Sequence, residues 1–271
     1  MKIGVIMYGG IGDHLLANRF VPAVLNYHQC DKVDILRPYL NDVNEHVGKN
    51  YPSFIKESFP NFYSEIKFVQ KKDSKHKDIW IDMQITTDDF HGSEEYDFVY
   101  NFVPDSLYWT KYQNLPIKKH FEYFPYPQIK VPKINLENYI FFHPLAREDQ
   151  HPMHKFTKEY ASQFVEFANK NSLKLICPVS KNNEFLINFC EDINLEYHVC
   201  DLIEMWSFAK QSLAAICCDS SPKYFAMTYG KPTAIVTDII NNPFILRWLL
   251  NADNVFLMNT EPQTIFQKII I

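Results

Sequence analysis

The chain has 271 residues, room for one large domain or for two of about 135 each, since domains commonly run ~100–150 residues. Hydrophobic residues make up 46% and charged residues 22%, the balance of a packed globular protein rather than a disordered one. A net charge of −5 argues against an overall basic footprint for nucleic acid, though a local patch stays open.

The predicted elements alternate strand and helix. Lys2–Met7 reads as a strand and Asp13–His28 as a helix. Asp34–Arg37 is a second strand, and residues 41–59 are helical or irregular up to Pro60. Ile66–Val69, Ile79–Met83 and Phe98–Phe102 are further strand candidates. Pro116, Pro125, Pro127 and Pro132 then mark a stretch hostile to helix and strand interiors, read as an inter-domain connection. Past it come Tyr139–His143 (strand), Thr157–Asn169 (helix), Leu173–Pro178 (strand), Asn183–Cys190 (helix), Tyr197–Cys200 (strand) and Leu202–Gln211 (helix). Ala214–Cys218, Ser221–Tyr229 and Thr233–Thr237 follow as strand, helix and strand, with Val255–Met258 as a last strand. Such alternation implies parallel sheets covered by helices. The expected domains are residues 1–132 and 133–271, both Rossmann-like.

Two turns stand out. The first, Tyr8-Gly9-Gly10-Ile11-Gly12-Asp13-His14, holds three of the seven glycines and follows an apolar run. Glycine permits close approach of a ligand and positive φ. The second is Cys218-Asp219-Ser220-Ser221-Pro222-Lys223, with Pro222 suited to the first position of a helix. Each turn presents backbone N–H groups at the positive end of a helix, a setting for phosphate or another anion. One such turn in each half suggests two nucleotide-fold domains facing each other across a cleft. Asp13 reads either as a helix cap or as a general base at the cleft mouth. Lys223 either adds charge to a phosphate site or faces solvent.

Several chemistries are disfavoured. The first turn lacks the spacing of the dinucleotide fingerprint, and Asp34 starts its strand rather than ending it. Walker A and DxD motifs are absent, and Asp88-Asp89 reads as a solvated turn. His143, His151 and His154 are a weak zinc set without cysteine support. No CxxC pair occurs among Cys30, Cys177, Cys190, Cys200, Cys217 and Cys218, which read as buried free thiols. With no signal peptide and no apolar run near the ~20 residues that span a bilayer, a reduced, cytoplasmic protein is expected. The Lys71–Lys77 run reads as a solvated turn. Only Arg19, Arg37, Arg147 and Arg247 are arginines, so bidentate phosphate recognition has few candidates.

Together these segments resemble the heptosyltransferase-like glycosyltransferases, glycosyltransferase family 9, of GT-B fold. The stretch Gly-Gly-Ile-Gly-Asp-His-Leu-Leu-Ala, with Pro22 and Leu25 downstream, resembles the family's opening motif. Phe142-His143-Pro144 and Lys155-Phe156-Thr157-Lys158-Glu159-Tyr160-Ala161 resemble the start of its second domain. Asp219-Ser220-Ser221-Pro222 through Ala226, then Gly230-Lys231-Pro232-Thr233, resembles its most specific signature. Ser221 replaces the usual glycine, and Lys223-Tyr224 replaces a pair ending in histidine.

The resemblance implies an inverting glycosyltransferase that needs no metal or other cofactor and uses a nucleotide-diphosphate sugar. It makes Asp13 the base and Lys155 the lysine that neutralises the donor phosphates. Ser220 and Ser221 become the diphosphate turn, Asp219 a contact to the donor sugar and Glu204 a ribose ligand. Arg147 is a second phosphate contact, and Gly9, Gly10, Gly12 and His14 form the cleft loop. The sugar moved is a hexose, heptose or pentose. The acceptor is a glycan or lipopolysaccharide-like saccharide or, given Lys71–Lys77 and Lys118-Lys119, a hydroxymethylated DNA base. A nucleotide-sugar epimerase or hydrolase, or a silent nucleotide-sugar-binding protein, are the alternatives.

Overall fold

A computed structural model describes residues 1–7, 10–39, 51–71, 90–91, 95–101, 125–145, 155–238 and 254–270. The chain divides into two compact units, Met1–Ile129 and Lys130–Ile271.

In the first unit, β1 (Ile3–Ile6) leads into α1 (Ile11–His28), followed by β2 (Val33–Tyr39), α2 (Tyr51–Ser58), β3 (Tyr63–Lys71), β4 (Phe90–His91) and β5 (Phe98–Asn101). The sheet order is β4-β3-β2-β1-β5. β1 pairs in parallel with β2 and β5, and β2 with β3. β4, which no sequence pattern announced, adds a short antiparallel edge to β3. α1 begins two residues earlier than expected, runs through Pro22 and stops at Gln29, whose φ of 51° is left-handed. Its apolar residues Leu15, Phe20, Val21 and Val24 are buried, as are Val5, Ile6, Val33, Ile35 and Leu36 of the sheet. The strand expected at Ile79–Met83, Asp88-Asp89 and nearly all of the Lys71–Lys77 run lie outside the described residues, as do Lys118-Lys119.

In the second unit, β6 (Tyr139–His143), α3 (Lys158–Lys170), β7 (Lys174–Ser180), α4 (Glu184–Asp192), β8 (Tyr197–Cys200) and α5 (Leu202–Gln211) alternate regularly. β9 (Ala214–Cys218), α6 (Pro222–Thr228), β10 (Thr233–Thr237), β11 (Val255–Leu257) and α7 (Pro262–Ile269) complete it. All six strands are parallel, in the order β11-β10-β9-β6-β7-β8. β6, β9 and β10 are buried at every residue, as expected of strands covered on both faces. One face packs Phe142, Phe156, Phe164, Leu186, Ile216 and Phe266 into a single core. On the other face Tyr139 meets Phe208.

The helix ends are written in the sequence. Thr157 Oγ1 accepts the Tyr160 N–H at 3.2 Å and Asn183 Oδ1 accepts the Leu186 N–H at 3.1 Å, so each caps its helix. α6 ends in a Schellman motif: Gly230 N–H donates to Met227 O at 3.0 Å and Lys231 N–H to Ala226 O at 3.1 Å. Gly230 takes φ of +65°, a conformation that L side chains resist. The Gly-Lys-Pro-Thr segment is thus a helix stop followed by the start of β10.

Both sheets reverse direction of growth beside their first strand. In the first unit β2 and β3 lie to one side of β1 and β5 to the other. In the second β7 and β8 lie to one side of β6 and β9–β11 to the other. In open parallel sheets, ligands bind beyond the carboxyl ends of the strands at this switch point.

Candidate functional site

The first switch point carries the glycine turn. Tyr8 and Gly9 lie outside the described residues. Gly10 is the N-cap of α1 with φ −77° and ψ 172°, ordinary extended backbone, so the expected left-handed freedom is not used there. A Cβ on Gly10 would meet only Asp13 Oδ2, at 3.6 Å. Gly12, Asp13 and His14 belong to the helix rather than to a loop.

Asp13 is the third residue of α1, not its cap. Its Oδ2 accepts the Gly10 N–H at 2.7 Å, closing the first turn from inside the helix. His14 is buried, and its Nδ1 lies 2.9 Å from Gly10 O. A carbonyl can only accept, so Nδ1 carries the proton and Nε2, which is buried without a partner, is the bare nitrogen. Desolvation lowers the His14 pKa to about 4, partly offset by the Gly10 carbonyl, with the Arg37 charge adding to the drop. His14 is therefore a neutral, inward-facing side chain whose ring edge meets Tyr51.

The second switch point carries the Asp-Ser-Ser-Pro turn. Ser220 N–H donates to Cys218 O at 2.8 Å, and the Cys218 thiol donates to Ser220 Oγ at 3.2 Å. Ser221 is the N-cap of α6 with φ −54° and ψ −38°. That right-handed conformation accepts a Cβ without strain, which explains how serine stands where the resembled family has glycine. The Ser221 hydroxyl makes no capping bond.

Lys223 does not face solvent. It is 2% exposed, and its ammonium is ion-paired with Asp219 one helical turn back. Burial works against the lysine charge, but Tyr224 and the Asp219 carboxylate outweigh it and hold the pKa above the ordinary lysine value. Sequence reasoning missed this link, although the i, i+4 spacing of Asp219 and Lys223 was its signal.

Lys155 is partly exposed and precedes Phe156, whose N–H donates to Pro144 O at 3.0 Å. Phe156 is 2% exposed and packs on Phe142, Tyr160 and Phe164. The buried Phe156 ring and this backbone bond hold Lys155 beside the carboxyl end of β6. β6 and β9 are neighbours, with His143 in register with Cys217, so Lys155 and the Asp219–Lys223 turn belong to the same switch point. Arg147, His151 and His154 lie outside the described residues. Glu204 follows the edge strand β8 and forms a reciprocal capping box: its Oε2 accepts the Asp201 N–H at 2.9 Å and Asp201 Oδ1 accepts the Glu204 N–H at 2.8 Å. Capping holds Oε2 of this carboxylate at the first turn of α5.

Five of the six cysteines are buried free thiols. Burial pushes the Cys218 thiol up to about 12. Among the described residues no group of three or more His, Cys, Asp or Glu side chains could hold a metal ion, and no helix is long and apolar enough to cross a membrane.

Two tandem Rossmann-like units with polar turns at their switch points define the GT-B architecture. No family model and no curated protein sequence matches the chain. Among solved structures it is similar to Escherichia coli heptosyltransferase WaaC with ADP, at 9% identity over 98% of both chains and a TM-score of 0.58. It is equally similar to E. coli ADP-heptose LPS heptosyltransferase II, at 12% identity, covering 99% of this chain and 97% of that one, TM-score 0.58. A family 9 glycosyltransferase from Veillonella parvula matches at 12% identity over 98% of this chain and 88% of its own, TM-score 0.56. At these identities the likeness is one of fold, and it falls on the group of proteins that the sequence motifs resemble.

Proposed function

We propose that the chain is an inverting, metal-independent glycosyltransferase that moves a sugar from a nucleotide-diphosphate sugar to an acceptor hydroxyl. The observation that carries this reading is the Asp-Ser-Ser-Pro turn at the switch point of a sheet whose fold matches heptosyltransferases along nearly the whole chain. The second unit binds the donor. Lys155 neutralises the diphosphate, the Ser220-Ser221 turn offers it hydrogen bonds, and Asp219 accepts from a sugar hydroxyl. Arg147 adds a phosphate contact and Glu204 reaches the ribose.

The first unit activates the acceptor. Asp13 takes the proton of the acceptor hydroxyl as its oxygen attacks the anomeric carbon. The bond from that carbon to the phosphate oxygen breaks, and the nucleoside diphosphate leaves with the electron pair. A carboxylate has about four lone-pair sites, so the Gly10 N–H orients Asp13 without exhausting it. The acceptor hydroxyl belongs to a saccharide or to a hydroxymethylated DNA base. Steep salt dependence of acceptor binding would mark DNA.

The test is a thermal-shift screen against ADP, UDP, GDP, CDP and dTDP and the corresponding nucleotide sugars. A ligand that binds only the folded state raises the melting temperature with its occupancy. A shift with one nucleotide names the donor base. A folded sample that responds to none of them refutes the reading.

A further inference from the structure

We infer that His14 and Asn18 form a binding site for one hydroxyl group inside the first unit, with His14 Nε2 accepting its proton and Asn18 Nδ2 donating to its oxygen. The site goes beyond the transferase reading, in which His14 is only part of the cleft loop and Asn18 has no role.

His14 and Asn18 stand four residues apart on α1, so they share one face of the helix. They are 2% and 1% exposed. His14 commits its Nδ1–H to Gly10 O at 2.9 Å, and its Nε2 is buried without a partner among the described residues. Asn18 is half used in the same way. The buried hydroxyl of Tyr63, on β3, donates to Asn18 Oδ1 at 2.6 Å. That bond fixes which end of the amide is the oxygen. It leaves Nδ2 buried, again without a partner among the described residues. One helix face thus carries a lone acceptor and a lone donor, and both are costly to bury unpaired.

The protonation state of the ring selects the occupant. Burial is the main reason the His14 pKa falls to about 4, and the charge of Arg37 on β2 adds to the drop. On α2, Tyr51 closes on the ring edge to edge at 5.8 Å between centroids. A charged imidazolium would make both nitrogens donors and suit a carboxylate or a phosphate. The neutral ring disfavours both, because their oxygens only accept. A carbonyl fails for the same reason, and an ammonium fails because it only donates. A hydroxyl does both through a single oxygen. Its source is either a buried water, which takes two to four polar partners, or an alcohol such as a saccharide hydroxyl. Through His14 and Gly10 the occupant is linked to Asp13, whose Oδ2 accepts the Gly10 N–H at 2.7 Å. An alcohol here would be a second acceptor hydroxyl near the one that Asp13 activates, an extension that rests on the acceptor reading above.

The experiment is a crystal structure of the full chain, at a resolution that shows ordered water. Crystals are grown free of alcohols and measured before and after soaking in methanol. One oxygen within about 3.2 Å of both Nε2 and Nδ2 is expected. Replacement of that oxygen by methanol, with density for the methyl group, marks a site for organic hydroxyls. An oxygen that stays unchanged marks a captive water. No oxygen shared by the two nitrogens, or a direct bond from Nδ2 to Nε2, overturns the inference. Nitrogen NMR checks the same site in solution: Nδ1 of His14 is expected to carry the proton, and Nε2 to resonate upfield of an imidazole nitrogen that accepts no hydrogen bond. The opposite tautomer, or an unshifted Nε2, overturns the inference as well. Neither measurement uses a nucleotide, so failure here leaves the donor reading standing, and failure of every nucleotide to bind leaves this site standing.

Discussion

Replacing Asp13 separates the proposed catalysis from capping, because the structure shows the capping bond on the carboxylate to which the proposal gives the base role. Oδ2 accepts the Gly10 N–H at 2.7 Å within the first turn of α1. Asp13→Asn keeps a side-chain oxygen for that bond and loses the interaction of the charge with the helix end, about 0.3–1 kcal/mol. Asp13→Ala loses the bond as well, about 0.5–2 kcal/mol by analogy with cap removal. In a unit of this size those costs correspond to a few degrees of melting temperature at most for Asn, and roughly twice that for Ala. The catalytic loss is of another order, since removing a general base costs about 100- to 10,000-fold in turnover. It should be nearly the same in both variants, because neither an amide nor a methyl group takes a proton at neutral pH. The assay is release of nucleoside diphosphate from the preferred nucleotide sugar with acceptor present, beside thermal melts of all three proteins. Affinity for the nucleoside diphosphate should not change, because Asp13 is in the other unit and acts in the transition state. Turnover that follows the melting temperatures, small in Asn and larger in Ala, would refute the base assignment and leave Asp13 a helix cap.

Lys155→Ala is expected to weaken nucleoside diphosphate binding together with turnover, measured by titration calorimetry; unchanged affinity would remove Lys155 from the site. Gly230→Ala forces a Cβ into a φ of +65° and should lower stability by about 1–2 kcal/mol, read from denaturant unfolding, while Lys231→Ala should not. His14 and His143 are both buried with pKa values near about 4, against an ordinary 6.5. The unfolded chain therefore binds protons that the folded chain refuses. Stability from each is complete above pH ~6.5 and is lost as pH falls toward ~4, on the order of 3 kcal/mol per histidine. Melting temperatures measured across that window should fall less steeply in His143→Phe than in wild type.

Much of the second unit was legible because its strands are short apolar runs fenced by turn and cap residues. Tyr139–His143, Tyr197–Cys200, Ala214–Cys218 and Thr233–Thr237 appear with the expected bounds, as does the helix Leu202–Gln211. Thr157 and Asn183 were read as helical and are caps, a shift of one residue that depends on φ and ψ rather than on composition. β3 runs from Tyr63 to Lys71, well beyond the apolar run Ile66–Val69, because the exposed pair Ser64 and Glu65 interrupts the pattern between buried Tyr63 and that run. α7 escaped notice although Pro262 at its start and the spacing of Ile265, Phe266 and Ile269 mark a helix with one buried face. At the candidate site, residue identity showed which groups sit at the turns but not how deep they lie. Lys223 is drawn inside by its place on α6, where Pro222 to Ala226 are all buried, and by a partner four residues back. Asp13 was placed in the correct turn, but its choice between cap and third position was settled by the extended backbone of Gly10.

The position of the first strands has a kinetic consequence. β1 and β6 each open their unit and each stand between an early neighbour and a late one. Ile3 pairs with Phe98, and Ile140 with Ala214. During synthesis the carboxyl-terminal sheet must wait until β9 has left the ribosome before the buried strand β6 gains a second partner. Until then β6 has an unpaired edge of the kind that recruits strands from other chains. Release at residue 213 would strand the protein in that state, whereas loss of α7 alone would leave β6 flanked on both sides. Chaperone dependence during translation should therefore peak while β6 waits for β9 and subside once β9 is paired.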